Sequence, residues 1–330
     1  MRYSSRVFVY VPVGLLLLLA LLYSVYWRVQ ADTLAARLDR ANGGEILPGV
    51  AFAFAEKSIG GYPFRLDTVL SGVTFAHRGP EGETAWRSES LAIHALSYGP
   101  PHYVLEASGL QSFARPPLVQ GDVPRVIYVT PAVARASAIF SEGKLARFDL
   151  DVWEPQGKNA TQGADPNLTF SAARAQFHAL RRPNNVLDIV MKIEGGKLGE
   201  AYKPALGTEL PLVDLRGKLL QSTLLDAFEG GTESFSDAVE KWRTAGGTLA
   251  VDSLMLAWGR MKTDMKGLIG LDAEHRLSGA LLGTFDPSAV LSSFFMKGNF
   301  AATPMGQVTL SLQFTNGDIK AGASAASAPR

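Results

Sequence analysis

Two hydrophobic patterns divide this chain. From Val7 to Trp27 (VFVYVPVGLLLLLALLYSVYW) no residue is charged and the apolar positions do not alternate. At ~1.5 Å per residue a helix of that length spans about 31 Å, roughly the hydrocarbon thickness of a bilayer. Tyr23, Tyr26 and Trp27 crowd its far end, as amphipathic rings do at a membrane interface. From Val50 onward the period becomes two, the mark of half-buried strands. In Leu145–Trp153, Phe148, Leu150 and Val152 alternate with Arg147, Asp149 and Asp151. In Val186–Ile193, Leu187, Ile189, Met191 and Ile193 oppose Asp188 and Lys192.

The pattern predicts the elements in order. A short helix over Val29–Ala41 continues the apolar segment as a stalk, stopped by Asn42-Gly43-Gly44. A strand follows over Tyr62–Leu70, with Tyr62, Phe64, Leu66 and Leu70 on one face and Arg65 and Asp67 on the other. Glu154–Asn167, rich in Pro, Gly, Asn and Asp, reads as a loop, and Arg181–Asn185 as a hairpin turn. Ser234 or Ser236 caps a helix carrying Phe235, Val239 and Trp242 as a stripe, ended by Gly246-Gly247. Asp286-Pro287-Ser288 opens a short helix through Phe295, and Asn316-Gly317 joins a last hairpin. The fold class is therefore mainly β: a large curled antiparallel sheet or sandwich with a few helices, behind one N-terminal transmembrane helix. The expected divisions are 1–28 stub and anchor, 29–44 helical stalk, 45–230 first β-rich lobe, 231–320 helix plus second lobe, and 321–330 disordered tail.

A cleavable signal peptide competes for the first segment, with Val29 and Ala31 preceding a cut before Asp32. Its apolar region is normally only ~7–15 residues, and the aromatic cluster with Arg28 stands against cleavage. Arginines flank both ends, so orientation rests on the mass beyond: long domains translocate largely regardless of charge. The expectation is an inner-membrane anchor with a cytoplasmic amino terminus and a periplasmic domain.

Charge and composition narrow the function. Lys plus Arg (32) nearly balances Asp plus Glu (31), which gives no broad footprint for nucleic acid. The absence of cysteine removes disulfides, thiolate metal sites and a cysteine nucleophile. There is no Gly-x-Ser-x-Gly pentad, and Gly196-Lys197-Leu198 and Gly217-Lys218-Leu219 lack the hydroxyl and upstream glycine of a phosphate loop. The five histidines are scattered, with none at helical i, i+4 spacing. Asp149 and Asp151 share a strand face and would suit an acid–base pair, but a solvated polar face is the plainer reading. No enzyme, metal or cofactor is expected.

The apolar side is more informative. Strands that alternate large apolar residues with alanine, such as Ala51-Phe52-Ala53-Phe54-Ala55, can curl round an apolar groove. Phe64, Leu66, Leu70, Leu187, Ile189, Met191, Leu256 and Trp258 are the candidate lining, with Met255, Met261 and Met265 adding adaptable volume. An ordinary filled sandwich core is the competing reading.

Two passages carry a family resemblance. Ile59-Gly60-Gly61-Tyr62-Pro63-Phe64-Arg65-Leu66-Asp67 resembles the Gly-aromatic-Pro-Phe-Arg segment of an alphaproteobacterial envelope family catalogued as domain of unknown function 2125. Gly267 to Gly279 resembles its later Gly-x-x-x-Leu-Asp, turn, Leu-x-Gly hairpin. The order of parts is similar too, over most of Val7–Gly322. That architecture is in turn similar to the anchored, curled sheets of AsmA-like envelope proteins, which are implicated in lipid handling. The resemblance implies location and shape, with a lipid or other apolar envelope component as partner. A scaffold for other envelope proteins is the alternative. It carries over no catalytic residue.

Overall fold

The computed structural model describes residues 7–79, 82–98, 100–116, 125–160, 167–200, 206–285, 308–316 and 318–325. One helix, α1 (Val7–Ala41), runs unbroken through both the apolar segment and the stalk. Pro12 sits near its start, where a lost backbone donor is tolerated. The helix stops where the sequence predicts: Asn42 N–H still bonds Leu38 O at 2.9 Å, and Gly43 takes φ +81°. The Asn42 side chain then acts as a strand partner, donating to Phe54 O (3.1 Å) and accepting from Phe54 N (2.9 Å).

Among the described residues, the rest is mainly one antiparallel sheet of nineteen strand segments. The first six are β1 (Gly44–Leu47), β2 (Val50–Ala53), β3 (Glu56–Gly60), β4 (Arg65–Gly79), β5 (Gly82–Leu96) and β6 (His102–Arg115). Next come β7 (Arg125–Thr130), β8 (Val133–Ser141), β9 (Lys144–Trp153), β10 (Gln156–Ala160), β11 (Asn167–Ser171) and β12 (Arg174–Arg182). The remainder are β13 (Val186–Leu198), β14 (Glu209–Leu220), β15 (Leu249–Trp258), β16 (Met261–Leu271), β17 (Leu277–Phe285), β18 (Val308–Thr315) and β19 (Asp318–Ala325).

The pairings form a meander in which chain order is spatial order. Four of its strands are broken in the middle: β2 with β3 forms one interrupted strand beside β4, and β7 with β8, β9 with β10, and β11 with β12 form three more between β6 and β13. The breaks line up. β2 and β3 part at Phe54-Ala55, opposite Gly72 at φ +62°. β5 shifts register between Ser88 and Ser90, opposite Gly109 at φ +75°. Pro131, Glu154-Pro155, Ala172-Ala173 and Gly195 (φ +59°) continue the line. Bulges and left-handed residues bend a strand and increase its twist, so a row of them creases the sheet across its strands.

Fully buried residues gather in two places. Phe52, Phe54, Leu70, Val73 and Leu91 pack at the start of the sheet under Leu38 and Ala41 of α1. Val251, Met265 and Leu281 pack near its end, with Leu312 and Phe314. Between β14 and β15 lies a helical insertion: a 3-10 turn (Ser222–Leu225), α2 (Asp226–Glu229) and α3 (Phe235–Thr244). Ser234 caps α3, accepting from Asp237 N, and Trp242 donates its indole N–H to Leu220 O at 2.7 Å. Arg181 bonds Asp226 (2.8 Å) and Glu229 (3.0 Å) and so ties the insertion back to β12.

The structure redraws several expected boundaries. The strand expected from Tyr62 starts at Arg65, because Tyr62-Pro63-Phe64 is a turn with a cis Tyr62–Pro63 peptide. Part of the expected loop 154–167 is β10, held between β7 and β11. The expected lobe boundary over 195–231 is crossed by the ladders β13–β14 and β14–β15. β19 extends to Ala325, into the expected tail, and the helix expected at 289–295 lies outside the described residues.

Candidate functional site

Directly opposed residues of antiparallel strands share a sheet face, so register shows what that face is made of. From Thr68 the partners run Ile93, Leu105, Ala136, Leu150 and Phe177, then Met191, Leu215, Leu254 and Met265. A flanking row runs Leu70, Leu91, Ala107, Ala134, Val152, Ala175, Ile193, Val213 and Leu256, and ends at Thr263. On the other side Leu66, Ala95, Tyr103, Ala138, Phe148, Ala179 and Ile189 lead to Gly217 and Val251. All three rows lack charge. At ~4.8 Å between strands the first two extend about 43 Å from β4 to β16, and the third ends at β15.

Burial along these rows is uneven. The ends are closed, at Leu70 and Leu91 on one side and at Val251 and Met265 on the other. The middle is mostly half-buried: Leu105, Leu150, Phe177, Met191, Leu215 and Leu254 all keep contact with solvent, while Ala138 and Ala179 are buried. β8 offers Ala134, Ala136 and Ala138 to the middle of this face, with Phe140 beyond them against Tyr103, and β12 offers Ala175 and Ala179 beside Phe177. Alanine rows thus lie beside the larger Phe148, Leu150, Ile189 and Met191, a step in side-chain size along the apolar face that we refer to as the trough. Arg181, which pairs with Leu187 on this same face, carries the insertion across one end of it.

The opposite face is polar and satisfied. His94 bonds Asp67 (2.8 Å), Arg135 bonds Glu106 (2.8 Å), and Asp151 takes two bonds of 2.7 Å from Arg174. Asp149 is held by Arg147 (2.6 Å) and His178 (2.7 Å). Burial pushes the Asp149 carboxyl up, but the hydrogen bonds and charges of Arg147 and His178 outweigh it and leave the pKa below the usual range. The hydrogen bond from Arg174 holds Asp151 low as well. These two carboxylates are engaged in ion pairs and stay ionised near neutral pH, whereas a general acid needs a raised pKa. Among the described residues no group of His, Asp or Glu is disposed to hold a metal ion.

The structure places most of the sequence-predicted lining on one face but not in one place: Leu66 and Leu70 lie on β4, six strand spacings from β13, and Leu70 is buried in the first core. Leu66, Leu70, Leu187, Ile189, Met191 and Leu256 lie on the apolar face, and Trp258 follows Leu254 and Leu256 at strand period on that side. Trp258 also donates to Gly207 O at 2.7 Å. Phe64 departs from the set: its turn carries it out of the sheet to pack on Tyr23 of α1, ring centroids 6.4 Å apart. Met255 pairs with Asp214 and Asp264 and so lies on the polar face, while Met265 is buried in the second core. The alanine rows were missed, though the alternation Ala134-x-Ala136-x-Ala138 is visible in the sequence.

A helix long and apolar enough to cross a membrane, joined to a mainly β domain with one continuous apolar face, defines the class of molecule. The chain belongs to the bacterial family described as "Uncharacterized protein conserved in bacteria (DUF2125)", whose profile matches residues 27–286. Comparison with curated proteins and with solved structures returned no match.

Proposed function

We propose that this is an inner-membrane-anchored, periplasmic, non-enzymatic protein that shelters a lipid or similar apolar chain in the trough. The observation that carries the reading is the run of half-buried apolar side chains from Leu105 to Leu254, uncharged from end to end. A folded sheet gains by covering such a face, at ~25 cal/mol per Å2 removed from water, and an acyl chain is long, narrow and apolar enough to do so. The order of parts, which resembles that of AsmA-like envelope proteins, supports this reading, and so does the anchor reading of α1.

Neighbouring residues on opposite faces supply the test. A photo-crosslinking side chain at Met191 faces the trough, and the same group at Val190 faces the polar side. Irradiation in cells followed by intact-mass analysis should give adducts of lipid mass at position 191 and not at 190. Equal labelling at both positions, or none at 191, would overturn the reading. Adducts of protein mass would favour a second reading, a scaffold for an envelope complex. That reading draws on Leu268 and Leu282, exposed leucines on the polar face of β16 and β17.

A further inference from the structure

We infer that the rim of the sheet beside α1 is itself a membrane-docking surface, seated in the headgroup layer of the bilayer that α1 crosses. This rests on the anchor reading of α1 but not on the trough being filled. The rim is held against one short stretch of helix. Tyr23 Oη donates to Pro63 O (2.7 Å) and meets Ser97 Oγ (2.8 Å), and Ser24 Oγ meets Tyr62 Oη (2.6 Å). Trp27 Nε1 donates to Arg65 O (2.8 Å), and its ring stands edge-on to Tyr62 at 5.4 Å. The turn at Tyr62–Phe64 and the loop at Ser97 therefore share the depth of Tyr23–Trp27.

Helix length sets that depth. Residues Val7–Leu22 precede the first of these contacts, and 16 residues at ~1.5 Å rise make only about 24 Å. A hydrocarbon layer of ~30 Å takes roughly 20 residues, which from Val7 reaches Tyr26. The bilayer surface must then come up to the rim. What the rim shows there is apolar and aromatic: Tyr62 is 54% exposed, Phe64 61%, Leu96 49% and Tyr98 56%. Exposed large side chains in one patch mark an interaction surface, and rings with a polar edge suit the headgroup layer. The turn carries no charge, and Arg65, which follows it at the start of β4, is ion-paired to Asp67 at 2.9 Å. Tyr103, at the trough's near end, opens beside the same rim, packed edge-on to Phe140 at 5.9 Å. Docking would thus bring this end of the apolar face beside the lipid surface.

The chain has no cysteine, so single labels can be placed without other changes. Full-length Phe64→Cys, Tyr98→Cys and Arg260→Cys would each carry an environment-sensitive fluorophore in phosphatidylethanolamine/phosphatidylglycerol nanodiscs with and without doxyl-labelled lipid. Arg260 lies in the β15–β16 turn at the opposite rim. Labels at 64 and 98 should emit at shorter wavelength and lose most of their emission to the lipid-borne quencher, while the label at 260 is unaffected. Tyr98 lies outside the Tyr62–Phe64 turn, so it reports even if the Phe64 variant is disturbed. Quenching at 64 and 98 no greater than at 260, in protein whose intact mass retains Met1, would overturn the docking. An intact mass starting near Asp32 would overturn the anchor reading and the docking with it. Neither result bears on crosslinking at Met191, so the two proposals can fail separately.

Discussion

Glu240 shows how single residues fasten the insertion to the sheet. Its carboxylate accepts from Arg243 (2.6 Å) one turn along α3 and from His275 (2.7 Å) in the β16–β17 turn. The bond from Arg243, then that from His275, lowers its pKa from 4.5 to about 2. A carboxyl whose folded pKa is depressed contributes stability that is present above its ordinary pKa and lost as pH falls through the folded one. The advantage of wild type over Glu240→Gln in thermal midpoint should therefore be full at pH 6. It should shrink as pH drops from 4.5 toward 2. A difference that does not change with pH would mean that Glu240 acts through packing alone.

The crease is a property of whole elements, and it depends on residues that any one strand would hardly justify. At Gly195 the backbone is left-handed, and an added Cβ would lie 3.0 Å from the Ala173 Cβ across the break between β11 and β12. Gly195→Ala should cost roughly 1–3 kcal/mol, read as a lower urea midpoint, whereas Gly143→Ala, left-handed in an open turn, should cost only the smaller conformational part. Equal losses would show that the crease does not need close approach. The same elements show what was legible in the sequence. β13 stands out because its four alternating apolar residues satisfy both strand propensity and the face they pack on. α3 stands out because Ser234 and Gly246 punctuate it. The crease does not, since Gly72, Pro131, Pro155 and Gly195 lie far apart in the sequence and carry no mark that links them. Only cross-strand register shows that they align. Phe64 was misplaced for a related reason: period-two spacing assumes a strand, and the Tyr62–Pro63 turn breaks it.

At the scale of the molecule, two small cores lie about 43 Å apart along a sheet whose middle is only half-covered. The described residues leave that middle half-exposed, and an apolar face so left gains stability from whatever covers it. Anything that binds only the folded state stabilises it by mass action, about 2.7 kcal/mol at a free concentration one hundred times its Kd. Delipidation of the full-length protein should therefore lower its thermal midpoint, and added phospholipid should restore it. Met191→Lys separates that effect from general fragility. Its side chain is half-buried, so the ammonium can reach water along the aliphatic stem and the fold survives, while a charge enters the middle of the trough. The variant should begin near the midpoint of delipidated wild type and respond to neither treatment. If wild type is equally indifferent, the trough is not a lipid site and its cover must be a protein. If both respond alike, the lipid acts on the rim and on α1, where Tyr62, Phe64 and Tyr98 meet the bilayer and position 191 has no part.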